Sequence, residues 1–181
     1  AQAEHDPMAS AILVTPSQSL AEAVARETDE QLSRLPRSEI ASAAIRDYGL
    51  AIVVADLDEG IKTVNELAPE HLEILTKDDE SVSARITNAG AVFLGPHTPE
   101  PVGDYMAGPS HVLPTGGTAR FFSGLRVNDF LKRSSLLHYS PEALAAEHDH
   151  IVRFANAEGL DAHARSIEAR GKKDSSAVSR K

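Results

Sequence analysis

The chain has 181 residues, enough for one good hydrophobic core or for one domain with an appendage. Its formal charge of -9 and its pI near 5.3 argue against nucleic-acid partners and against anionic membrane surfaces, which both attract basic proteins. The absence of cysteine excludes disulfides, thiol chemistry and Cys-ligated zinc, so a bound metal must have nitrogen and oxygen ligands. We therefore expect a small-molecule partner.

Hydropathy and residue usage indicate the compartment and the fold class of the protein. No apolar run approaches the roughly 20 residues of a membrane span, and the opening AQAEHDP lacks the features of a signal peptide, so the cytoplasm is the expected compartment. Few aromatics and no Trp leave the core to Ala, Val, Ile and Leu, as is typical of α/β proteins with parallel strands.

The first half of the chain alternates apolar runs with amphipathic stretches. The runs predict strands at 11–14, 50–54, 71–75 and 91–94. Strands separated by helices imply right-handed crossovers and a mainly parallel sheet flanked by helices, a Rossmann-like half. Neither G-x-G-x-x-G nor a Walker loop is present, so the chain carries no dinucleotide-binding fingerprint of its own.

Helix signals fall between these strands. The first predicted helix begins at Ser19, with Glu22 in a capping box, or slightly earlier if Pro16 occupies its first position, and Pro36 ends it. The others run from Ser38 to Tyr48, ended by a left-handed Gly49; from a cap at Asp56 to Leu67; and from Asp79 to Asn88, closed by Gly90.

The pattern changes in the last quarter. Residues 134–139 could form a fifth strand, the sequence from Pro141 is helical, Gly159 interrupts it, and 160–170 predicts a last helix. We therefore predict an α/β domain over residues 1–139, a helical arm over 140–170 and a disordered polar tail over 171–181.

The segment 89–117, AGAVFLGPHTPEPVGDYMAGPSHVLPTGG, dominates the middle of the chain. After its short apolar run it is too rich in Gly and Pro to predict helix or strand, and long ordered loops in compact domains are usually functional. Four prolines stiffen a backbone that carries several polar side chains. We expect a preorganised site here.

Two adjacent residues could supply acid-base chemistry. Glu70 and His71 stand between a proline and an apolar strand, and together they offer a base able to activate water and a group that titrates near neutrality. The alternative is that one faces solvent and the other caps the strand. Both precede their strand, whereas ligands of open α/β sheets gather at carboxyl ends, so either the sheet is mixed or the site lies off the usual edge.

A metal site can be assembled from dispersed residues. Gln2 and His5 share a face if their segment is helical, Asp104 follows a glycine in the stiff loop, and His163 lies on the last predicted helix. Together they form a cysteine-free nitrogen and oxygen set suited to Zn²⁺ and tolerant of Mn²⁺ or Co²⁺. The competing interpretations are a frayed terminus for Gln2 and His5 and a turn-forming Asp104.

Several motifs in order resemble one family. The stretches LAPEHLEI, GAVFLGPHTPEPVGDYMAGPSHVLPTGGTARF, DFLKRSS and AEGLDAH closely resemble histidinol dehydrogenase, and the likeness runs from QAEHDP to EGLDAH. It covers nearly the whole chain except the tail. The chain resembles only the carboxyl-terminal part of that family's polypeptide, somewhat under half of it.

The resemblance implies an enzyme that oxidises L-histidinol through L-histidinal to L-histidine with zinc and two NAD⁺, the last steps of histidine biosynthesis. It implies that the metal ligands are Gln2, His5, Asp104 and His163, that the catalytic pair is Glu70 and His71, and that all of these together with Glu158 contact substrate.

The resemblance also implies a location for the cofactor and an assembly. NAD would be held by residues before Ala1, so that the fragment alone is inactive. The family's homodimers would let the helical arm cross to the partner, so that His163 and Glu158 complete a site shared between subunits.

Two other functions stay open on the sequence. One is a related dehydrogenase for another small amino alcohol or diol, and the other is a non-catalytic metal-binding or subunit-interaction module. The occurrence of PEH together with GDY favours the enzyme, because a mere metal-binding module does not need the Glu-His pair.

Overall fold

The structure is a computed structural model, and it describes residues 1–171. Its strands are the four that the apolar runs predict: β1 (Ala11–Thr15), β2 (Gly49–Val53), β3 (His71–Ile74) and β4 (Ala91–Leu94). β1 pairs with β2 and β3 pairs with β4, both in parallel, and they form two two-stranded sheets. The predicted α/β class with parallel strands flanked by helices is confirmed.

Seven α-helices are present in the described residues. They are α1 (Gln18–Leu32), α2 (Ser38–Tyr48), α3 (Leu57–Leu67), α4 (Asp79–Ser83), α5 (Glu100–Tyr105), α6 (Pro141–Ala157) and α7 (Asp161–Gly171). None of these helices has the length and apolarity needed to cross a membrane.

Side-chain caps mark the beginning of four helices, among them α3 and α1. Asp56 accepts a hydrogen bond from the Glu59 N–H at 2.9 Å, and the Glu59 carboxylate accepts one from the Ala55 N–H, which makes a reciprocal cap for α3. At α1 the cap is Ser17, which accepts from the Leu20 N–H at 3.2 Å. The predicted cap at Ser19 was therefore wrong by two residues, because Ser17 has the extended backbone that a cap requires.

Two glycines have roles other than the predicted helix stops. Gly49 is extended, with φ -74 and ψ 138, and is the first residue of β2, where a Cβ would collide with the carbonyl oxygen of Ile45. The helix predicted to end near Gly90 is the five-residue α4, which ends at Ser83. Residues 84–90 form turns and bends instead of a continuation of the helix.

Two segments between the main elements also differ from the predictions. Residues 134–139 form no strand, and their exposure shows why: Leu136 and Leu137 are 97% and 79% exposed, so no neighbouring strand covers them within the described chain. The central segment 89–117 was predicted to hold no helix, but it contains α5.

The amino-terminal turn is fixed by small residues. Gln2–Glu4 form one turn of 3₁₀ helix, and Ala3 is buried against Ala41 and Ala44 of α2. This packing holds Gln2 and His5 on an ordered segment. The interpretation of the terminus as frayed is thus not what the structure shows.

The side chain of Asn65 ties the turn between α4 and β4 to α3. The Asn65 amide donates to the Arg85 carbonyl at 3.0 Å, and its oxygen accepts from the N–H groups of Thr87 and Asn88 at 2.8 and 3.2 Å. These bonds fix the point at which the chain enters β4.

The described chain separates into two compact units after Leu131. The sequence pattern predicts a boundary after residue 139. The second unit contains α6 and α7, which pack on each other. Gly159, with φ +72, makes the break between them that the sequence predicts. Of the predicted tail, Gly171 is the last residue of α7, and residues 172–181 lie outside the described residues.

Candidate active site

One face of the β3–β4 pair forms the floor of the site. His71 and Glu73 are the first and third residues of β3, so their side chains leave the strand on the same side. Phe93 of β4 pairs with Glu73 in the parallel register and shares that side. The aromatic ring of Phe93 is buried, and its centroid lies 6.0 Å from that of His71.

Helix α5 is held close to this face. The backbone N–H of Glu100, at the start of the helix, donates a hydrogen bond to the Glu73 carboxylate at 2.8 Å. Gly103 approaches Phe93 so closely that a Cβ there would stand 2.6 Å from a ring carbon. Prolines at the cap and in the first turn fit this helix, because the first N–H groups of a helix have no partner inside it.

The helix brings two carboxylates to the imidazole. Glu100 and Asp104 are four residues apart, one helical turn, and so lie on the same side of α5. Ligand atoms of His71, Glu100 and Asp104 all lie within 4.8 Å of one another. The Glu100 Oε1 atom is 3.7 Å from His71 Nε2.

These buried polar atoms are unsatisfied. Both ring nitrogens of His71 and the Oε1 atom of Glu100 are buried and have no hydrogen-bond partner. Buried polar groups are nearly always paired in folded proteins, and an unpaired one costs roughly 1–3 kcal/mol. Such a cluster is typical of a site whose partner is a bound ion, ligand or water.

The electrostatics of the cluster centre on Glu100. Burial raises the pKa of its carboxyl above the ordinary value, and the neighbouring Asp104 raises it further, while the charges of His71 and His5 oppose the shift. His5, which follows the amino-terminal turn, is thus one of the residues whose charge acts on Glu100. The carboxyl of Glu100 therefore interacts electrostatically with Asp104, His71 and His5, the three sequence-predicted residues around it.

The cluster lies off the usual edge of an open α/β sheet. His71 is the first residue of β3, and the strands are parallel in both sheets, so a mixed sheet does not explain the position. The explanation is α5, which follows β4 and returns over the face on which His71 stands.

The structure brings together some of the sequence-predicted residues of the first unit. His71 and Asp104 share the cluster, and His5 acts on it through its charge. Gln2 is half-buried on the same 3₁₀ turn that precedes His5. Glu70 precedes His71, and its carbonyl oxygen accepts from the Ala91 N–H at 2.8 Å, but its side chain is not part of the three-residue group.

The other two predicted residues lie in the second unit. Glu158 and His163 line the same open depression of about 380 Å³ between α6 and α7. Apolar side chains, among them Ile151, Phe154 and Leu160, line most of the rest. Glu158 follows the last residue of α6, and His163 lies in the first turn of α7.

Sequence reasoning missed Glu100. The stretch PEP was interpreted as loop, and without a helix there was no reason to place Glu100 beside Asp104. The available signal was the preference of proline for the first turn of a helix, followed by two acidic residues at i and i+4.

The donor set suits a metal ion that takes nitrogen and oxygen ligands. Imidazole nitrogens and carboxylate oxygens are ligands of Zn²⁺ at distances of roughly 2 Å. Ligand atoms of the three residues of this cluster lie within 4.8 Å of one another, and the buried ring nitrogens and Glu100 Oε1 have no other partner. The residues of the first unit therefore fit such an ion.

An α/β fold that buries the unpaired ring nitrogens of a histidine beside two carboxylates defines an enzyme-like site rather than a structural core, because stability alone gives no reason to leave such atoms unpaired. The family model described as histidinol dehydrogenase matches residues 1–171. The chain belongs to the histidinol dehydrogenase family.

Individual relatives agree with this assignment. The chain is 59% identical over 169 residues to the histidinol dehydrogenase of Halalkalibacterium halodurans and 57% identical over 169 residues to that of Bacillus subtilis, in each case covering 93% of this chain and 40% of the relative. The crystal structure of histidinol dehydrogenase from Elizabethkingia anophelis superposes with a TM-score of 0.87 at 34% identity, covering 93% of this chain and 39% of that chain. The chain thus spans about two-fifths of the length of these relatives and corresponds to their carboxyl-terminal part.

Proposed function

We propose that this chain is the carboxyl-terminal part of a zinc-dependent enzyme that oxidises L-histidinol to L-histidinal and then to L-histidine, with NAD⁺ as the hydride acceptor in both steps. The observation that supports this most is the family match over residues 1–171, which includes the buried cluster of His71, Glu100 and Asp104.

Four residues are proposed to hold the zinc ion: Gln2, His5, Asp104 and His163. A zinc ion held by these residues would act as a Lewis acid that binds the imidazole and amine nitrogens of histidinol and so orients the substrate. Manganese or cobalt would be accepted by the same ligands. What supports the set is the ordered turn that carries Gln2 and precedes His5, together with the electrostatic effect of His5 on the carboxyl of Glu100, which lies beside Asp104.

His71 is proposed as the catalytic base. It takes the hydroxyl proton of histidinol while the carbinol hydrogen leaves as hydride. Its ring nitrogens have no partner, so a lone pair is free to accept a proton. The small exposure of the ring, 15%, keeps bulk water away from the base.

Glu70 is proposed to serve the second oxidation. Its carboxylate takes a proton from the water that attacks the aldehyde carbon, with His71 assisting, and the hydrate then loses hydride to a second NAD⁺. Its position supports this role, because Glu70 is adjacent to His71 and its backbone is bonded to β4.

The second unit is proposed to complete the site of a partner subunit in a cytoplasmic homodimer. Glu158 would contact substrate, and His163 would provide the fourth zinc ligand. What supports a subunit contact is the depression on which both residues lie, whose wall includes Phe154 at 68% exposure. The predicted arm over residues 140–170 is the segment that would cross.

The 181 residues alone are proposed to be inactive, because they carry no dinucleotide-binding fingerprint. NADH formation by the isolated chain with zinc, histidinol and NAD⁺ would contradict this part of the proposal.

The catalytic test uses a chimera in which residues 1–171 replace the matching part of the Bacillus subtilis relative. The variant His71→Asn is expected to lower kcat by about 10²-fold or more while zinc content stays at the wild-type level. The control His138→Asn changes an exposed residue of the second unit and is expected to leave kcat unchanged. Full activity of His71→Asn would favour the non-catalytic module. Weak competition by imidazole-containing analogues would favour another amino alcohol or diol as substrate.

A further inference from the structure

Glu100 has no role in the function proposed so far, yet it is the most buried carboxylate of the site. The residue is 8% exposed, and its Oε1 atom has no hydrogen-bond partner. Leaving a buried carboxylate oxygen unpaired is costly, so the arrangement calls for a donor in the working protein.

Only one member of the cluster offers an N–H group. Ionised carboxylates accept hydrogen bonds and cannot donate them, so two of the three groups, Glu100 and Asp104, compete for donors. A neutral imidazole has one N–H and one lone pair. His71 Nε2, at 3.7 Å from Oε1, is thus the natural donor to Glu100.

The separation is short enough to close. It exceeds a typical N–H···O bond of roughly 3.0 Å by about 0.7 Å, which small side-chain rotations supply. Hydrogen bonds of catalytic groups are often long before substrate binds and tighten in the complex.

We propose that Glu100 is a positioning residue that accepts a hydrogen bond from Nε2–H of His71 and so leaves the Nδ1 lone pair to act as the base. This inference rests on the proposed function, in which His71 removes the substrate proton. A histidine without such a partner would divide between its two tautomers, and only one of them presents the lone pair at Nδ1.

The surroundings of Glu100 fit a positioning role. Its backbone N–H is bonded to Glu73 on the strand that carries His71, and Gly103 of the same helix lies against Phe93. These two contacts hold α5, and with it the backbone of Glu100, against β3 and β4. A group that served only as surface charge would not be placed in this way.

The direct test reads the tautomer of His71 by two-bond ¹⁵N–¹H correlation in the ¹⁵N-labelled 181-residue chain, at a pH about two units above the ordinary histidine pKa of ~6.5. The His71 signals are assigned by their loss in His71→Asn. The wild type is expected in the Nε2–H form and Glu100→Ala as a mixture. Glu100→Gln, whose amide oxygen still accepts, is expected to keep the Nε2–H form.

The matched control is Glu80→Ala, which removes an exposed carboxylate in α4 and is expected to leave the His71 signals unchanged. An Nδ1–H form in the wild type, or an unchanged tautomer in a folded Glu100→Ala chain, overturns the proposal. Circular dichroism establishes that each variant is folded.

Zinc content and kinetics in the Bacillus subtilis chimera separate positioning from metal binding. Glu100→Ala is expected to keep its zinc, to lose about 10-fold or more in kcat with little change in KM, and to be largely rescued by Glu100→Gln. Loss of zinc from Glu100→Ala would make Glu100 a ligand and overturn the proposal. If the tautomer depends on Glu100 but the chimera does not oxidise histidinol, the proposed function fails and the positioning role stands.

Discussion

Gly90 lies directly against the backbone of Glu70, so that a Cβ at position 90 would stand 2.5 Å from the Glu70 carbonyl oxygen. The same Cβ would stand 3.2 Å from a ring carbon of Pro114, which is buried. Nothing at this point can move cheaply, because the Gly90 N–H is also bonded to the Pro69 carbonyl at 2.9 Å. Gly90, which precedes β4, thereby fixes the backbone of Glu70, which precedes His71.

We therefore expect Gly90→Ala to destabilise the chain by about 1–3 kcal/mol, the usual cost of overpacking, and to lower the activity of the chimera by displacing Glu70 and His71. Urea denaturation measures the free energy of unfolding. Gly60→Ala in α3 is the matched control, because its Cβ would meet nothing nearer than 3.6 Å. Because alanine is favoured over glycine in a helix, Gly60→Ala should raise the free energy of unfolding by about 0.5–1 kcal/mol. Equal effects of the two substitutions would show that the contact with Glu70 is unimportant.

A second prediction concerns the contact between α5 and β4. Gly103→Ala would place a Cβ 2.6 Å from a ring carbon of Phe93, so α5 must shift and the carboxylates with it. We expect a loss of about 1–3 kcal/mol in the free energy of unfolding and weaker zinc binding.

Phe93→Leu provides the test of this explanation, since it removes the ring that Gly103 contacts. Alone it should cost about 1–2 kcal/mol through the space that it leaves. The double variant should be more stable than the sum of the two losses by at least about 0.5 kcal/mol. Strict additivity in the denaturation measurements would mean that the two residues do not interact.

A third prediction concerns Asn65, whose side chain makes three hydrogen bonds to the turn over residues 85–88. Asn65→Ala should lower the free energy of unfolding by about 1–3 kcal/mol, because it removes three hydrogen bonds, each of which contributes roughly 0.5–1.5 kcal/mol. The nearby Lys62→Ala removes only an exposed pair with Glu66 at 3.9 Å and should cost under about 0.5 kcal/mol. Similar losses for the two variants in urea would contradict the assigned role of Asn65.

The raised pKa of Glu100 gives a prediction for stability against pH in the zinc-free chain. Burial and Asp104 raise it above the ordinary 4.5, with His71 and His5 acting against them, so the folded state holds the proton more tightly than the unfolded state. The contribution of Glu100 to stability is therefore fully present below pH 4.5 and is lost as the pH rises through the folded pKa.

Glu100→Gln removes this penalty, because an amide does not ionise. We expect the variant to be more stable than the wild type at neutral pH and the difference to shrink as the pH falls toward 4.5. Thermal denaturation across this range measures it. Glu80→Gln, at an exposed position, should show no such trend. A less stable Glu100→Gln at neutral pH would mean that the imidazoles outweigh burial.

The strands were predictable because short apolar runs between turn residues leave few alternatives. The caps were less so: Ser17 and Ser19 are both reasonable in sequence, and the backbone conformation at Ser17 decides between them. Gly49 shows a limit of another kind. A glycine after a helix suggests a left-handed stop, whereas here it is needed because Ile45 approaches too closely for a side chain.

Within the site, His71 and Asp104 could be named from sequence because their motifs carry them. Glu100 could not, since its importance arises from a six-residue helix that isolated propensity would not support. That helix depends on the Glu73 bond and the Phe93 ring, which are contacts between elements distant in the chain.

The shortness of α5 has a consequence for how long the site persists. Glu100 and Asp104 stand on a single helix of six residues, so one local opening event removes both carboxylates together. Amide hydrogens of Met106 and Ala107, which bond to the Val102 carbonyl, report that event through their exchange with solvent. An ion or ligand that binds the two carboxylates should slow this exchange, so occupancy of the site can be measured from the exchange rates of these two amide hydrogens.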